Sequence, residues 1–395
     1  MAFQGIYTNR KTGESMRNKI LWLCLSFFLL LTSCGGGGGG TGAGSGGNGI
    51  TLAGRVYGIS ETTTSGTITA TSITSSGNYD ATSTYSNVTG NIPKEFATAT
   101  VGGSTYLYVA NLGSNSISEF KVSGTSVTSI GTISTGSYPQ CLTVDKSNRY
   151  LFVADSNNGT LGSGDIYSYS INSDGTLTST GTPAYNSSNP VYGISEDETG
   201  SYLVAAVLTS NTTWAAVVLT VNSNGTLTYS NEQTGISGGI PFYWAVDPVS
   251  THGDFLYSGA WNGTYFYSAV LSGGSITVTT TTKTSGNLYY PAWIDPTGTW
   301  LFMVEYNGSS PSESLTQYTI GSSGALSLGP EGTITVASGG GYTNNVSGYD
   351  SNYGLVVFPY GGNVATLTFN SLNGTLSMIN SDVASAPGGY MAFVP

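Results

Sequence analysis

The sequence predicts an all-β fold, a seven-bladed β-propeller with four antiparallel strands in each blade. Seven times, a Pro- or Tyr-marked segment leads toward an acidic residue, a Gly-type turn and a Tyr-Leu-Phe-Val-like run. The period of about 45 to 52 residues is that of propeller blades. Gly, Ser, Thr, Asn and Tyr dominate and only 8% of residues are charged, which favours short strands and tight turns over helices. The seven copies begin near Pro93, Pro139, Pro190, Pro241, Tyr289, Tyr342 and Pro387.

The copy that starts at Pro139 shows how one blade is built. Residues 140–144 form the predicted innermost strand, 150–154 the second and 166–171 the third, where apolar or aromatic residues alternate with Ser. An outer strand follows the turn at Asp174 and Gly175. Similar turns recur at Asn224-Gly225 and Asn373-Gly374, and we expect them to be two-residue hairpins with positive φ.

The two ends of the chain are predicted to complete one blade together. Residues 387–395 resemble an innermost strand with no successor, while residues 55 to about 84 resemble the other three strands of a blade. Pairing these segments closes the ring and removes exposed sheet edges. We therefore assign residues 50–395 to a single propeller domain.

The amino-terminal segment has the features of an export signal. Arg17 and Lys19 precede the apolar run 20–31, which is too short for a permanent membrane-spanning helix. Residues 31–34, Leu-Thr-Ser-Cys, resemble the lipobox of bacterial lipoproteins, which implies cleavage after residue 33 and lipidation of Cys34. Met16 is an alternative start. The Gly-rich residues 34–49 then form a tether, and the expected location is the cell envelope, with the outer membrane favoured.

Charge and cysteine content exclude several functions. Without residues 1–33 the chain has six Lys and Arg against twenty Asp and Glu, a net charge of −14. Such a surface lacks the cationic patch that nucleic acids require, so we predict no nucleic-acid partner. Cys141 is the one cysteine that remains beside Cys34, so no disulfide forms within the domain.

The repeat resembles a known family. The segments Tyr138-Pro139 to Asp145, 149–154 and 106–111, each followed by a Gly-Thr-Leu type hairpin, resemble the lactonase family of seven-bladed propellers. That family includes 6-phosphogluconolactonase and muconate-cyclising enzymes, and the YVTN surface proteins are close to it. The resemblance covers about residues 50 to 395 and implies the propeller fold. Its motifs mark strands and turns, so activity does not follow from them.

Few residues are suited to acid–base catalysis. The single histidine, His252, is expected in a turn on the face opposite the channel mouth. Asp145, Glu196, Asp247 and Asp295 recur before turns and are expected to accept turn amide hydrogen bonds. Asp155 and Glu305 instead end second strands at the mouth, so they are our candidate general bases.

Residues near the starts of the inner strands, most of them aromatic, are candidates for ligand binding, together with Asn111 at the end of a second strand. Rings with few charges suit a neutral ligand such as a glycan or a peptide, although each ring also suits the core between blades. The candidate ligand-binding residues are Asn111, Tyr138, Gln140, Tyr192, Tyr243, Trp244, Tyr290, Trp293 and Tyr390.

Two functions remain open from the sequence. The first is an exported, lipid-anchored binding or scaffold module that recognises a glycan or protein at an aromatic mouth. The second is a lactone hydrolase that uses Asp155 or Glu305 as base. We predict no cofactor and no metal site, because the consecutive Glu196, Asp197 and Glu198 side chains would not converge on one ion.

Overall fold

A computed structural model describes residues 45–46, 50–60, 63–241, 244–249, 252–259, 265–282, 288–306, 312–338, 348–350, 355–360, 363–380 and 389–394. The strands form seven antiparallel sheets, each of which is one blade of a ring. We number the blades 1 to 7 from the sheet that begins at Pro93, and we name the strands of each blade inner, second, third and outer. The prediction of a seven-bladed propeller is confirmed.

The strand bounds follow the repeat. In order of blades 1 to 7, the inner strands are Pro93–Val101, Pro139–Val144, Val191–Glu196, Ala245–Val246, Leu288–Ile294, Gly348–Asp350 and Gly389–Val394. The second strands are Ser104–Asn111, Tyr150–Asp155, Tyr202–Leu208, Asp254–Gly259, Trp300–Tyr306, Leu355–Tyr360 and Ile50–Ser60. The third strands are Ser116–Ser123, Asp165–Ile171, Thr213–Val221, Tyr265–Ser272, Ser312–Ile320, Asn363–Phe369 and Thr67–Thr74. The outer strands are Ser126–Ser134, Leu177–Ser179, Leu227–Ser237, Ser275–Thr282, Leu326–Ser338, Leu376–Asn380 and Tyr79–Tyr85.

Three short elements complete the described part of the chain. Tyr185–Asn186 pairs with the third strand of blade 2 beyond its short outer strand. Ser45–Gly46 pairs with the beginning of the second strand of blade 7. A 3-10 turn spans Asn157–Gly159. None of the described segments is an apolar helix of the length needed to cross a membrane.

Burial decreases from the ring's centre to its rim. The inner strand of blade 2 is buried along its whole length, whereas the outer strand of blade 1 exposes every other residue or more. The partial alternation of buried and exposed residues in this outer strand results from one face packing on a neighbouring blade. Apolar side chains of adjacent blades form the core, for example Tyr108 and Ala110 of blade 1 with Leu151 and Val153 of blade 2.

The ring closes as the sequence predicts. The carboxy-terminal strand Gly389–Val394 is the inner strand of blade 7 and pairs with Ile50–Ser60, with Ser60 opposite Gly389 and Arg55 opposite Val394. Inner strands of blades 6 and 1 lie beside it. Both ends of the propeller are therefore held in the same sheet.

The outer hairpins differ from the prediction of two-residue turns with two positive φ angles. In blade 2 Gly175 has φ of 82°, but Asp174 is not in the left-handed region. The turn is longer, because Asn172 N–H donates to the Thr176 carbonyl at 2.9 Å. The Asp174 carboxylate accepts from the Thr176 hydroxyl at 2.7 Å, and Asn224 does the same for Thr226. These bonds explain why Thr follows Gly in the repeat motif, because the Thr hydroxyl donates to the Asp or Asn side chain that precedes the Gly.

Candidate functional site

We define the mouth face as the face on which inner strands begin and second strands end; the opposite face is the far face. In blades 1, 2 and 3 the inner strand contains a bulge at its mouth end. Pro93 pairs with Asn111, Pro139 with Asp155 and Val191 with Val207, and in each case the next residue is skipped by the register. The skipped residues are Lys94, Gln140 and Tyr192. Bulges of this kind redirect side chains and are common beside functional sites.

The three bulge residues are closely packed. Lys94 and Gln140 are each 1% exposed, and Tyr192 is half-buried. The Gln140 Nε2 donor is buried and has no hydrogen-bond partner among the described residues. A buried amide donor without a partner costs free energy. The Gln140 amide would therefore be stabilised by donating a hydrogen bond to a carbonyl oxygen of a ligand.

Asn111 lies at the mouth end of the second strand of blade 1, and both polar atoms of its side chain form hydrogen bonds within the protein. Its Nδ2 donates to Ser116 Oγ at 3.2 Å and to Ser118 Oγ at 2.9 Å, while its Oδ1 accepts from Gly90 N–H at 3.0 Å. Asn111 is fully buried. It links the second and third strands of blade 1 to the segment that enters the blade.

Asp155 occupies the corresponding position of blade 2, but its environment is different. It is 2% exposed, and neither carboxylate oxygen has a hydrogen-bond partner of good geometry among the described residues. It pairs directly with Asp165 of the third strand. Burial raises the pKa of Asp155 well above its usual value, the Asp165 charge raises this pKa further, and the Gly136 amide opposes both effects. Asp155 therefore favours a neutral form or a bound cation.

Tyr138 lies in the connection that enters blade 2 and has φ of 60°, which is unusual for a residue with a large side chain. Its backbone is held at both ends, because its N–H donates to Asn115 Oδ1 at 2.9 Å and its carbonyl accepts from Ser156 N–H at 3.0 Å. The half-buried ring is thus carried on a fixed piece of backbone at the mouth.

The two described tryptophans among the predicted ligand-binding residues pack between blades. Trp244 is 4% exposed and its ring centroid lies 6.0 Å from that of Trp214. Trp293 stacks on Phe302 at 5.3 Å and meets Phe369 edge-on at 4.9 Å. These contacts are typical of a core of aromatic residues.

The remaining predicted residues lie wholly or partly outside the described structure. Tyr243 and Cys34 are outside the described residues. The strands that contain Tyr290, Glu305 and Tyr390 are described, but their side chains are not. Glu305 stands in the second strand of blade 5, opposite Tyr289 of the inner strand and therefore at the mouth end.

Acidic residues on the far face hold the turns between inner and second strands. Asp295 accepts from the amides of Thr299 and Trp300, both at 2.8 Å. Asp145 accepts from the amides of Arg149 and Tyr150, both at 2.6 Å. The prediction of a turn role is confirmed for these two residues.

In blade 3 the turn residue was predicted wrongly. Asp197, not Glu196, accepts the Tyr202 amide, at 2.6 Å. Glu196 instead accepts the Lys146 amide of blade 2 at 2.6 Å, and its other oxygen is buried without a partner among the described residues. Burial raises the pKa of Glu196 to about 8, although the Lys146 amide opposes the shift. The inner strands of blades 2 and 3 both have six residues, but in blade 3 the repeat proline, Pro190, precedes the strand instead of beginning it. The turn aspartate therefore lies one position later than the repeat pattern predicts.

Basic side chains are concentrated away from the mouth. Lys146 and Arg149 belong to a far-face turn, and Lys146 pairs with Glu198 at 3.0 Å. Lys121 approaches the Tyr106 ring toward the far end of the third strand of blade 1, and Arg55 begins the paired part of blade 7 at the same face. Of the described basic residues, Lys94 alone is at the mouth end of its strand. His252 contacts Asp247 at 3.4 Å in a far-face turn.

Two features of the mouth were missed from the sequence. Asp165 was not singled out, although it follows the Gly-rich loop after Asp155 and pairs with it. The unpartnered amide of Gln140 was also not visible, because only the fold determines its neighbours. The described residues contain no group of three or more His, Cys, Asp or Glu side chains arranged to bind a metal.

Comparisons with known proteins agree with this architecture. The model of the family described as "Lactonase, 7-bladed beta-propeller" matches residues 52–162 and 123–239. No curated protein sequence matches significantly.

Solved structures show the same fold at low sequence identity. A protein from Lactobacillus plantarum has a TM-score of 0.66 and 17% identity, with 87% of this chain and 99% of that one covered. A putative 6-phosphogluconolactonase from Bacteroides fragilis has a TM-score of 0.65 and 14% identity, over 89% of this chain and all of that one. A periplasmic gluconolactonase from Pseudomonas aeruginosa has a TM-score of 0.63 and 12% identity, over 86% and 99% of the two chains. The family match covers the second, third and outer strands of blade 7 and all of blades 1 to 3. Together with the seven-bladed ring, it identifies this chain as a lactonase-type seven-bladed β-propeller.

Proposed function

We propose that the protein hydrolyses a small, uncharged lactone at the mouth of its channel. The observation that carries this proposal is the bulge of blade 2, which holds the Gln140 amide buried at the mouth with a free donor. A lactone carbonyl oxygen accepts such a bond, and the bond strengthens as negative charge develops on that oxygen in the transition state. Relatives of the same fold include a gluconolactonase and a putative 6-phosphogluconolactonase.

The distribution of charge favours a neutral substrate. A phosphorylated lactone would be expected to need several cationic or bidentate contacts. Lys94 is buried at the mouth end of blade 1, whereas Arg55, Lys121, Lys146 and Arg149 lie toward the far face. A single basic residue at the mouth among the described residues, Lys94, and a domain charge of −14 disfavour a dianionic ligand.

We propose Glu305 as the general base that activates water. Its strand position places it at the mouth end of blade 5. Asp155, the other candidate base, has a carboxyl group buried beside Asp165, so its direct contact with a substrate is disfavoured. Recognition of a glycan or protein by aromatic residues is also less favoured, since Trp244 and Trp293 are used in packing between blades.

Rates of lactone opening test this proposal. With purified protein, D-glucono-δ-lactone should open faster than in buffer alone, and 6-phosphoglucono-δ-lactone should be the poorer substrate. Gln140→Leu should lower kcat/KM by about 10²-fold, and Glu305→Gln should lower kcat by about 10²-fold or more. Lys121→Gln, a change far from the mouth, serves as the control. Absence of turnover across a panel of neutral lactones would exclude the proposal.

We also propose that Cys34 is lipidated and that the mouth points away from the anchoring membrane. The second strand of blade 7 begins at Ile50 on the far face and ends at Ser60 on the mouth face. A tether that precedes Ile50 would therefore leave from the far face. In bacterial cells, Cys34→Ser should abolish labelling with a tagged fatty acid and release the protein from membranes; continued labelling would disprove the anchor.

A further inference from the structure

The loop that joins the second and third strands of blade 2 has an unusual conformation. It spans residues 156–164 and begins with a 3-10 turn at Asn157–Gly159. Asn157, Asn158 and Gly159 all have positive φ, at 42°, 53° and 69°. The loop is flanked by Asp155 and Asp165, which face each other directly across the strand pair. The residues at the two ends of the loop, Asp155 and Asp165, therefore bring two carboxyl groups next to each other.

Three oxygens of these carboxyl groups lack a hydrogen-bond partner of good geometry among the described residues. Both oxygens of Asp155 and Oδ1 of Asp165 are buried without a hydrogen-bond partner among the described residues. Gly136 of the incoming connection lies so close that a Cβ there would overlap the Asp155 carboxylate and the Tyr167 ring. Buried charged oxygens without partners are strongly unfavourable, so a group that binds them would stabilise the fold.

Among the described residues, no basic side chain acts on the pair. The titratable groups that act on Asp155 and its neighbours are Asp165, Tyr167 and Tyr169, none of which is basic. The Tyr169 hydroxyl is already used as a donor to the Ser134 carbonyl at 3.0 Å. A proton on one carboxyl group would allow one hydrogen bond between the two groups. Three of their oxygens, however, have no hydrogen-bond partner of good geometry among the described residues.

We propose that Asp155, Asp165 and the loop between them bind a calcium ion. Calcium takes oxygen ligands from carboxylates, amides and backbone carbonyls in flexible geometry. The Asn157 side-chain oxygen and the Gly159 carbonyl would add neutral oxygen ligands to the Asp155 carboxylate, and Asp165 would add the second carboxylate from the far end of the loop. With two carboxylates, the expected affinity is that of weak extracellular sites, with Kd on the order of 10⁻⁴ to 10⁻³ M. The proposal departs from the sequence-based expectation of no metal site, and it does not depend on the proposed lactonase activity.

Thermal unfolding of the purified full chain tests the site. After treatment with a chelator, addition of 10 mM CaCl₂ should raise Tm by about 2–4 °C, and NaCl of equal ionic strength should not. Asp155→Asn and Asp165→Asn should each lose this response. Asp174→Asn is the matched control: it changes one carboxylate in the same blade to the residue found at the equivalent turns, Asn224 and Asn373, and should retain the response.

A second measurement keeps the test independent of variant stability. Terbium bound at the site should give luminescence excited through Tyr167, and calcium should displace it with a Kd in the same range. Failure of the unaltered chain to respond to calcium in both measurements would overturn the proposal. If Asp155→Asn showed the same rise in Tm with calcium as the unaltered chain, the proposal would also fail. It would fail likewise if Tm changed with pH but not with calcium, because a proton on one carboxyl group would then explain the stability of the pair.

Discussion

The ring of Tyr106 in blade 1 covers Gly175 in the outer hairpin of blade 2 so closely that a Cβ on Gly175 would overlap it. Tyr106 is the first aromatic residue of the Tyr-Leu-Tyr-Val run, and Gly175 is the glycine of the Asp-Gly-Thr-Leu turn. The two repeat motifs therefore meet between successive blades. The same contact recurs for Tyr150 with Gly225, Tyr202 with Gly274, Phe255 with Gly324 and Trp300 with Gly374.

We predict that Gly175→Ala lowers the free energy of unfolding by about 3 kcal/mol, because the methyl group meets both positive φ and the Tyr106 ring. Gly103→Ala is the control. Gly103 also has positive φ, 77°, but a Cβ there meets nothing within 4 Å, so a loss of about 1 kcal/mol is expected. Equal losses in urea unfolding would show that the ring contact is unimportant.

Tyr108→Phe should destabilise the protein by about 1–2 kcal/mol, since the buried Tyr108 hydroxyl donates to the Gly175 carbonyl at 2.8 Å. Removal of the hydroxyl leaves that carbonyl without its inter-blade donor. Tyr229→Phe changes an exposed tyrosine and should have almost no effect on urea unfolding. A change of similar size in both variants would argue against a specific link between blades.

Deletion of residues 391–395 should prevent stable folding. These residues form most of the inner strand of blade 7, and their loss would leave the edge of Ile50–Ser60 unpaired at the centre of the ring. Circular dichroism and limited proteolysis would measure the effect. Deletion of residues 35–40, which precede all the described strands, is the control, and a deletion of 391–395 that melts like the intact chain would contradict ring closure.

Glu196→Gln should make stability less dependent on pH. Below about pH 4.5 Glu196 is protonated in both states; between that pH and the folded-state pKa of about 8, the folded protein keeps a proton that the unfolded chain releases. Stability of the unaltered protein therefore falls as pH rises through this window, by up to about 5 kcal/mol, since each pKa unit corresponds to about 1.4 kcal/mol.

The glutamine variant keeps an oxygen acceptor for the Lys146 amide but has no charge to bury. Its stability should exceed that of the unaltered protein at pH 9 and approach it at pH 4.5. Glu198→Gln, at a half-buried neighbour, is the control. Parallel curves of unfolding free energy against pH for Glu196→Gln and the unaltered chain would be evidence against the assignment.

The sequence alone determined the strands, their order and the closure of the ring. The inner strand at Pro139, the second strand at Tyr150 and the pairing of the carboxy-terminal strand with Ile50–Ser60 were all predicted. These features are local or repeated: alternation of polar residues fixes strands, glycine fixes turns, and seven equal units fix a ring. The repeat also predicted which residues stand at the mouth end of each blade.

The tertiary structure alone decided what those mouth residues contact. Asn111 and Asp155 occupy one repeat position, yet Asn111 is bonded to Gly90, Ser116 and Ser118. Asp155 instead faces Asp165 and has no hydrogen-bond partner of good geometry among the described residues. Trp244 likewise faces Trp214 rather than an open surface. Partners of this kind come from connecting segments and adjacent blades, which the repeat does not encode, so the pattern fixes a residue's place in the ring but not its chemistry.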